Sequence, residues 1–170
     1  MNTWVVLATG PSMSQEVADS VRGRCGVIAV SDAYRLAPWA DVLVSSDSAW
    51  WRAHPAALKF PGRKFCGVPF KDLEQIPYAH HITNGSNTGL RAMALARDLF
   101  NAELIIMLGF DGHGAHFFGK HPHPLKNATP KKMENHVRQF RTFRGCKVFN
   151  CTPGSAIDCF QFATLEEVLA

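Results

Sequence analysis

Short apolar runs, broken by polar and glycine-rich turns, set the pattern of this chain: Val5–Ala8, Cys25–Val30, Asp41–Ser45, Lys64–Val68, Leu104–Leu108 and Lys147–Cys151. Each is too short for a helix, and most are apolar at consecutive positions, as strands covered on both faces of a parallel sheet are. Segments of helical character separate them. A helix is predicted over about Ser14–Arg22, a short one from Ser48 to Arg52, and an Ala/Leu-rich one over Leu90–Phe100 that is apolar on most faces and therefore buried. Met133, Val137 and Phe140 fall at helical spacing within Lys131–Arg144, and Leu165–Leu169 closes the chain as a last helix. The Pro-containing stretch that runs to Ile82 reads as a connecting loop. This alternation predicts an α/β fold: one Rossmann-like domain over residues 1–170, with a mostly parallel sheet and helices on both faces. No internal repeat, low-complexity segment or second domain is visible.

The polar residues gather at the strand exits. After the first strand come Thr9, Gly10, Pro11 and Ser12. Gly10 allows a tight turn and close approach of a ligand to the backbone, and Pro11 presets φ. Ser12 with Gln15 fits a capping box, which puts the helix start at Ser12. Strand, glycine turn and capped helix together form an anion site in many α/β proteins, although an ordinary tight turn needs only the glycine. Ser31-Asp32 and Ser46-Asp47 end the next two strands. Asn84-Gly85-Ser86-Asn87-Thr88-Gly89 opens the buried helix, either as a second anion or ribose site or as a simple cap. Gly109-Phe110-Asp111-Gly112 follows the clearest central strand, and Thr152-Pro153-Gly154-Ser155 follows the last. Asp111 stands where these folds keep a ribose- or metal-contacting carboxylate. From about residue 112 to 128 the composition changes to a loop with His113, His116, His121 and His123 among Gly and Pro.

Composition narrows the picture. The chain has 170 residues, 46% hydrophobic and 19% charged, which fits a globular protein with a real core. The net charge is +4, dispersed except for a mild basic cluster from Lys120 to Arg144, so no nucleic-acid motif is read from it. It suits an anionic small molecule equally well. Five cysteines without C-x-x-C spacing point to free thiols and a reducing cytoplasm. The N-terminal apolar run is too short for a signal peptide or a membrane span. Trp50-Trp51 reads as packing rather than base stacking.

In order along the chain, these exits form a familiar constellation. Gly10-Pro11-Ser12, Thr88-Gly89 at the helix mouth, Gly109-Phe110-Asp111 and the late Pro153-Gly154-Ser155 loop resemble the pattern of the bacterial family 42 sialyltransferases. They are also similar to a related group that includes the archaeal 6-hydroxymethylpterin diphosphokinases. The resemblance spans nearly the whole chain through short motifs. It implies a nucleotide held by Gly10, Pro11, Ser12, Thr88, Gly89, Gly109, Pro153 and Ser155, to which the reading of the strand exits and helix mouth adds Thr9, Ser31, Asp32, Asn87 and Thr152. It implies a loop histidine, His121 or His123, as general base. The chain departs from the sialyltransferase pattern at Thr9 and at Ser31-Asp32, where those enzymes carry Asn.

Three functions fit these residues. The first is a transferase, glycosyltransferase-like, that uses a nucleotide-linked donor and a loop histidine as base; the resemblance to the sialyltransferases implies no required metal, and no other cofactor is certain. A histidine has a pKa suited to that role without tuning, and Lys120, Lys126, Lys131 and Lys132 could offset departing phosphate charge. The second is diphosphoryl transfer to a small hydroxymethyl heterocycle, which adds Mg²⁺ and gives Asp111 or Asp32 the role of ligand. The third is a non-catalytic module that binds or sequesters a nucleotide. A zinc site from His121, His123 and His113 or His116 ranks lower, because the spacing matches no strong signature. Nucleophilic catalysis has no motif behind it. A fold of this kind often buries a face against a second copy, so a homo-oligomer is compatible with the sequence.

Overall fold

A computed structural model describes residues 1–76 and 87–170. The strands are β1 (Thr3–Leu7), β2 (Gly26–Val30), β3 (Val42–Ser45), β4 (Arg63–Cys66), β5 (Glu74–Gln75), β6 (Leu104–Leu108), β7 (Lys147–Asn150) and β8 (Gln161–Phe162). They form one parallel sheet in the order β5-β4-β3-β2-β1-β6-β7-β8. The chain steps outward from β1 to β5, returns to the centre at β6, and steps outward the other way. The direction therefore reverses between β1 and β6, where Thr3 pairs with Leu104 and Leu7 with Leu108. In open α/β sheets that reversal opens a crevice at the carboxyl edge.

The alternation of side chains along each strand divides the core in two. Val5, Leu7, Val27, Ala29, Leu43 and Ile106 face one side, against α1 (Gln15–Asp19), α2 (Ser48–Ala53) and α5 (Leu165–Leu169). Val6, Ile28, Val44, Ile105 and Met107 face the other, against α3 (Thr88–Asp98) and the end of α4 (Pro130–Gln139). Trp50 and Trp51 are both buried, with Trp51 Nε1 donating to the Ser45 carbonyl at 3.0 Å. The fold is α/β and Rossmann-like, as predicted, with helices on both faces.

The local differences from the sequence reading have physical causes. α1 begins after Ser14, whose hydroxyl accepts from Val17 N at 3.2 Å, and not at Ser12. Two serines compete for that cap, and Ser12 is taken by a carboxylate described below. α4 ends at Gln139 and tightens into a 3₁₀ turn over Phe140–Thr142 instead of running to Arg144. The edge strands β5 and β8 are two residues each, and those residues are exposed, so no apolar run marks them. A 3₁₀ turn over Ser31–Arg35 follows β2 directly. The Asn84-Gly85-Ser86 part of the predicted helix mouth lies outside the described residues. No helix among the described residues is long and apolar enough to cross a membrane.

Candidate functional site

At the reversal between β1 and β6 the two strand exits are tied together. Gly10 N donates to the Gly109 carbonyl at 2.8 Å, as Ala8 N does to that of Leu108. Gly109 takes φ +74, a left-handed conformation that favours glycine. The room at Gly10 serves Asp111: a Cβ there would lie 1.9 Å from Asp111 Oδ2 and 2.5 Å from the Gly109 oxygen. Asp111, 4% exposed, accepts from Ser12 Oγ at 2.8 Å and from Ser12 N at 3.2 Å. The anion held at this turn is thus the protein's own carboxylate. The Ser12 donors expected to face a ligand phosphate are taken by Asp111, and the Gly10 N–H is taken by the Gly109 carbonyl.

Beyond the turn lies a cavity of about 720 Å³. Thr9, Gly10, Ser31, Gly109 and Asp111 contribute from the strand exits, and Asn87, Thr88 and Gly89 from the mouth of α3. Its other wall is the histidine-rich loop and α4, which supply Lys120, Lys126, Lys132, His116, His121 and His136. Asn87 joins the two walls: its Oδ1 caps α3 at Leu90 N, and its Nδ2 donates to the His136 carbonyl, both at 3.2 Å. Thr88 Oγ1 accepts from Ser46 N at 3.4 Å, and the absence of a Cβ on Gly89 admits the Phe110 ring. Ser31, at φ +48, donates to Ser45 Oγ at 3.1 Å. A non-glycine residue held in this region is a strain that clusters at functional sites.

Several expected site residues lie outside the cavity lining. Asp32 is 2% exposed and already engaged: Oδ2 accepts from Trp50 Nε1 at 2.8 Å, and Oδ1 faces His54 Nε2 at 3.3 Å and Arg35 at 3.5 Å. Thr152 Oγ1 accepts from Phe110 N at 3.0 Å, and Ser155 Oγ donates to the Phe110 carbonyl at 2.5 Å. With Pro153 exposed beside them, they brace the β6 exit from behind. Pro11 is exposed and sits against Gly114. His123 is exposed and does not line the cavity; His121 does.

No sequence motif marks His116 as a candidate base, or His136 or His54 for any role. His116 Nδ1 lies 2.8 Å from Thr9 Oγ1, and its ring stacks on Phe118 and meets that of His121 at 4.6 Å between centroids. Burial, with a further push from His121, lowers its pKa against the opposing effects of Asp32 and Thr9. Burial likewise lowers His121, opposed by Asp32 and helped by His54. His136 is lowered by burial and then by Lys132. The cavity wall so carries imidazoles biased to the neutral, proton-accepting form. The four-histidine loop was a visible signal; the contact to Thr9 from a distant strand was not.

Asp111 or Asp32 is the carboxylate a Mg²⁺ would need. Asp111 lines the cavity but is hydrogen-bonded to Ser12, and Asp32 is buried outside the lining among Trp50, His54 and Arg35, so neither could take a cation without giving up these partners. Among the described residues no group of three or more His, Cys, Asp or Glu side chains is arranged to hold a metal ion. The five cysteines are free, and burial pushes the Cys151 thiol up to about 11, away from nucleophilic use. Comparison with family models, curated proteins and solved structures gave no significant match.

Proposed function

We propose that this chain is a nucleotide-binding transferase, glycosyltransferase-like, with His121 as general base. One observation carries the reading. The cavity lies at the sheet's topological reversal, between a wall of glycines and small polar groups and a wall that carries Lys120, Lys126, Lys132 and the imidazoles of His116, His121 and His136. Such crevices take nucleotides in open α/β sheets, and the lysines favour an anionic ligand. Its acidic side chains, Asp111 and Asp47, are hydrogen-bonded to Ser12 and to Ala49 N, and the three lysines outnumber them. The resemblance to family 42 sialyltransferases adds the nucleotide-linked donor.

In this reading His121 takes the proton of an acceptor hydroxyl. The hydroxyl oxygen forms a bond to the donor's anomeric carbon, and the bond from that carbon to the phosphate oxygen breaks, its electron pair leaving with the nucleotide. The lysines offset the charge that develops on the phosphate. Diphosphoryl transfer is less well supported, because the two candidate Mg²⁺ ligands are engaged elsewhere.

Product analysis with nucleotide-sugars tests the assignment. His121→Gln is expected to reduce turnover by roughly 10²–10⁴-fold, the usual contribution of a positioned base, with nucleotide binding retained. His123→Gln is expected to leave turnover within about twofold, since an exposed side chain outside the cavity lacks hydrogen-bond reach. Equal losses in both variants, or none in His121→Gln, would remove the role.

A further inference from the structure

We propose that Asp32 is the positioning residue for His121, fixing which ring nitrogen faces the substrate. This rests on the reading of His121 as general base. The His121 side chain is 14% exposed, and its Nδ1 is sealed from solvent with no hydrogen-bond partner. Asp32 Oδ2 faces that nitrogen at 3.9 Å. A buried polar nitrogen without a partner is costly, and the acceptor in front of it is a carboxylate with spare lone pairs beyond the one Trp50 uses. Catalytic hydrogen bonds are often long in unliganded proteins and tighten when the substrate arrives. A shift of about one ångström brings this pair into the range of charge-assisted N–H···O bonds.

The surroundings set the direction of that shift. Asp32 is anchored by Trp50 Nε1 at 2.8 Å, with the Arg35 guanidinium at 3.5 Å and His54 Nε2 at 3.3 Å beside its other oxygen, so the buried carboxylate is the fixed partner. His54 is itself held, with Nδ1 on the Trp50 carbonyl at 2.8 Å and its ring stacked on Trp50. His121 sits in the loop, beside His116 and Phe118 at 4.6 and 5.1 Å between ring centroids. The loop side chain is therefore the partner that moves. Which nitrogen of a histidine carries the proton is set by the bond the other nitrogen makes. A proton on Nδ1, held by Asp32, leaves the Nε2 lone pair for the cavity. When Nε2 takes a proton from the acceptor hydroxyl, the buried carboxylate stabilises the imidazolium that results. The charged and titratable groups around His121 are then Asp32, Arg35, His54 and His116; the Asp32 carboxylate is the one that favours its protonation.

The tautomer is directly observable. In the full chain labelled with ¹⁵N-histidine, long-range ¹H–¹⁵N correlation at a pH above the histidine range separates protonated from bare ring nitrogens. The His121 signals are identified by their loss in His121→Gln. The expected result is a protonated Nδ1 and a bare Nε2 in the wild type. In Asp32→Asn the proton is expected to move to Nε2 and the titration midpoint of His121 to fall. With an active donor, Asp32→Asn is also expected to lower kcat at least 10-fold and to move the acidic limb of the pH profile downward, which simple loosening of the fold would not do. A protonated Nε2 in the wild type would overturn the assignment, as would a tautomer unchanged in a folded Asp32→Asn. If that variant does not fold, the wild-type spectrum decides alone. The tautomer is read without any nucleotide. A protonated Nδ1 in a protein that transfers nothing would refute the transferase reading and leave the pair intact, and turnover with a protonated Nε2 would do the reverse.

Discussion

Asp111 lies across the turn from Gly10, with Oδ2 in the volume that a Cβ on Gly10 would fill and 2.8 Å from Ser12 Oγ. The carboxylate at the β6 exit and the glycine at the β1 exit therefore form one joint, closed by the Gly10 N–H on the Gly109 carbonyl. This joint holds the two strands at whose reversal the cavity opens.

Gly10→Ala places a methyl group 1.9 Å from Asp111 Oδ2 and 2.5 Å from a backbone oxygen. The side chain can swing away, but the carbonyl cannot. A loss of about 3 kcal/mol is expected, at the upper end of ordinary overpacking, and measured by urea unfolding. Asp111→Ala in the same chain is expected to recover only part of it, because the Gly109 oxygen remains. Full recovery would mean that the backbone is free to shift.

Asp111→Ala alone strands the Ser12 N–H and hydroxyl in a half-buried turn. A cost of about 1–3 kcal/mol is expected, as for other unsatisfied groups. Asp111→Asn keeps one acceptor oxygen and is expected to cost less. Both variants are expected to bind nucleotide with unchanged Mg²⁺ dependence if Asp111 is a brace. Loss of Mg²⁺-dependent binding in Asp111→Asn would instead favour the diphosphokinase reading.

Asn87→Ala removes the α3 cap and the tie to the His136 carbonyl together. About 1 kcal/mol of stability is expected to go with the cap. Ligand affinity is expected to fall as well, because α4 loses its link to the opposite wall. Calorimetric titration of the variant separates the two effects: a stability loss with unchanged affinity would show that the tie does not shape the cavity.

Burial lowers the pKa of His116, His121 and His136 below the ordinary 6.5. The unfolded chain then takes up protons before the folded one, so acid favours unfolding. The stability these groups give is whole above about pH 6.5 and is lost as pH falls through their depressed folded values. The urea midpoint is expected to drop over that window, and less steeply in His136→Gln. A flat profile down to the carboxylate range would contradict this.

Much of the frame was legible in the residues. Leu104–Leu108 stands as predicted because five consecutive apolar residues between polar turns leave little choice but a buried strand. The closing helix Leu165–Leu169 likewise matches, fixed by Thr164 and Glu167 in a capping box. The strand exits converge because a parallel sheet puts every carboxyl end on one edge. What stayed hidden depends on tertiary neighbours. Ser12 and Ser14 compete as caps, and only Asp111, a hundred residues on, decides between them. His121 and His123 are alike in sequence, and contact with a cavity built by other elements separates them. Asp32 follows Ser31 at a strand exit, yet the 3₁₀ turn carries its side chain inward to Trp50.

The most direct test of the central claim is ligand-induced stabilisation of the wild-type chain. CMP- and UDP-linked sugars, the free nucleotides and ATP would be screened by thermal melting, with and without Mg²⁺. A nucleotide-linked sugar at about 100 times its Kd is expected to add about 2.7 kcal/mol, a rise of several degrees, without any need for metal. If none of these compounds moves the melt, a nucleotide site between the β1 and β6 exits is contradicted.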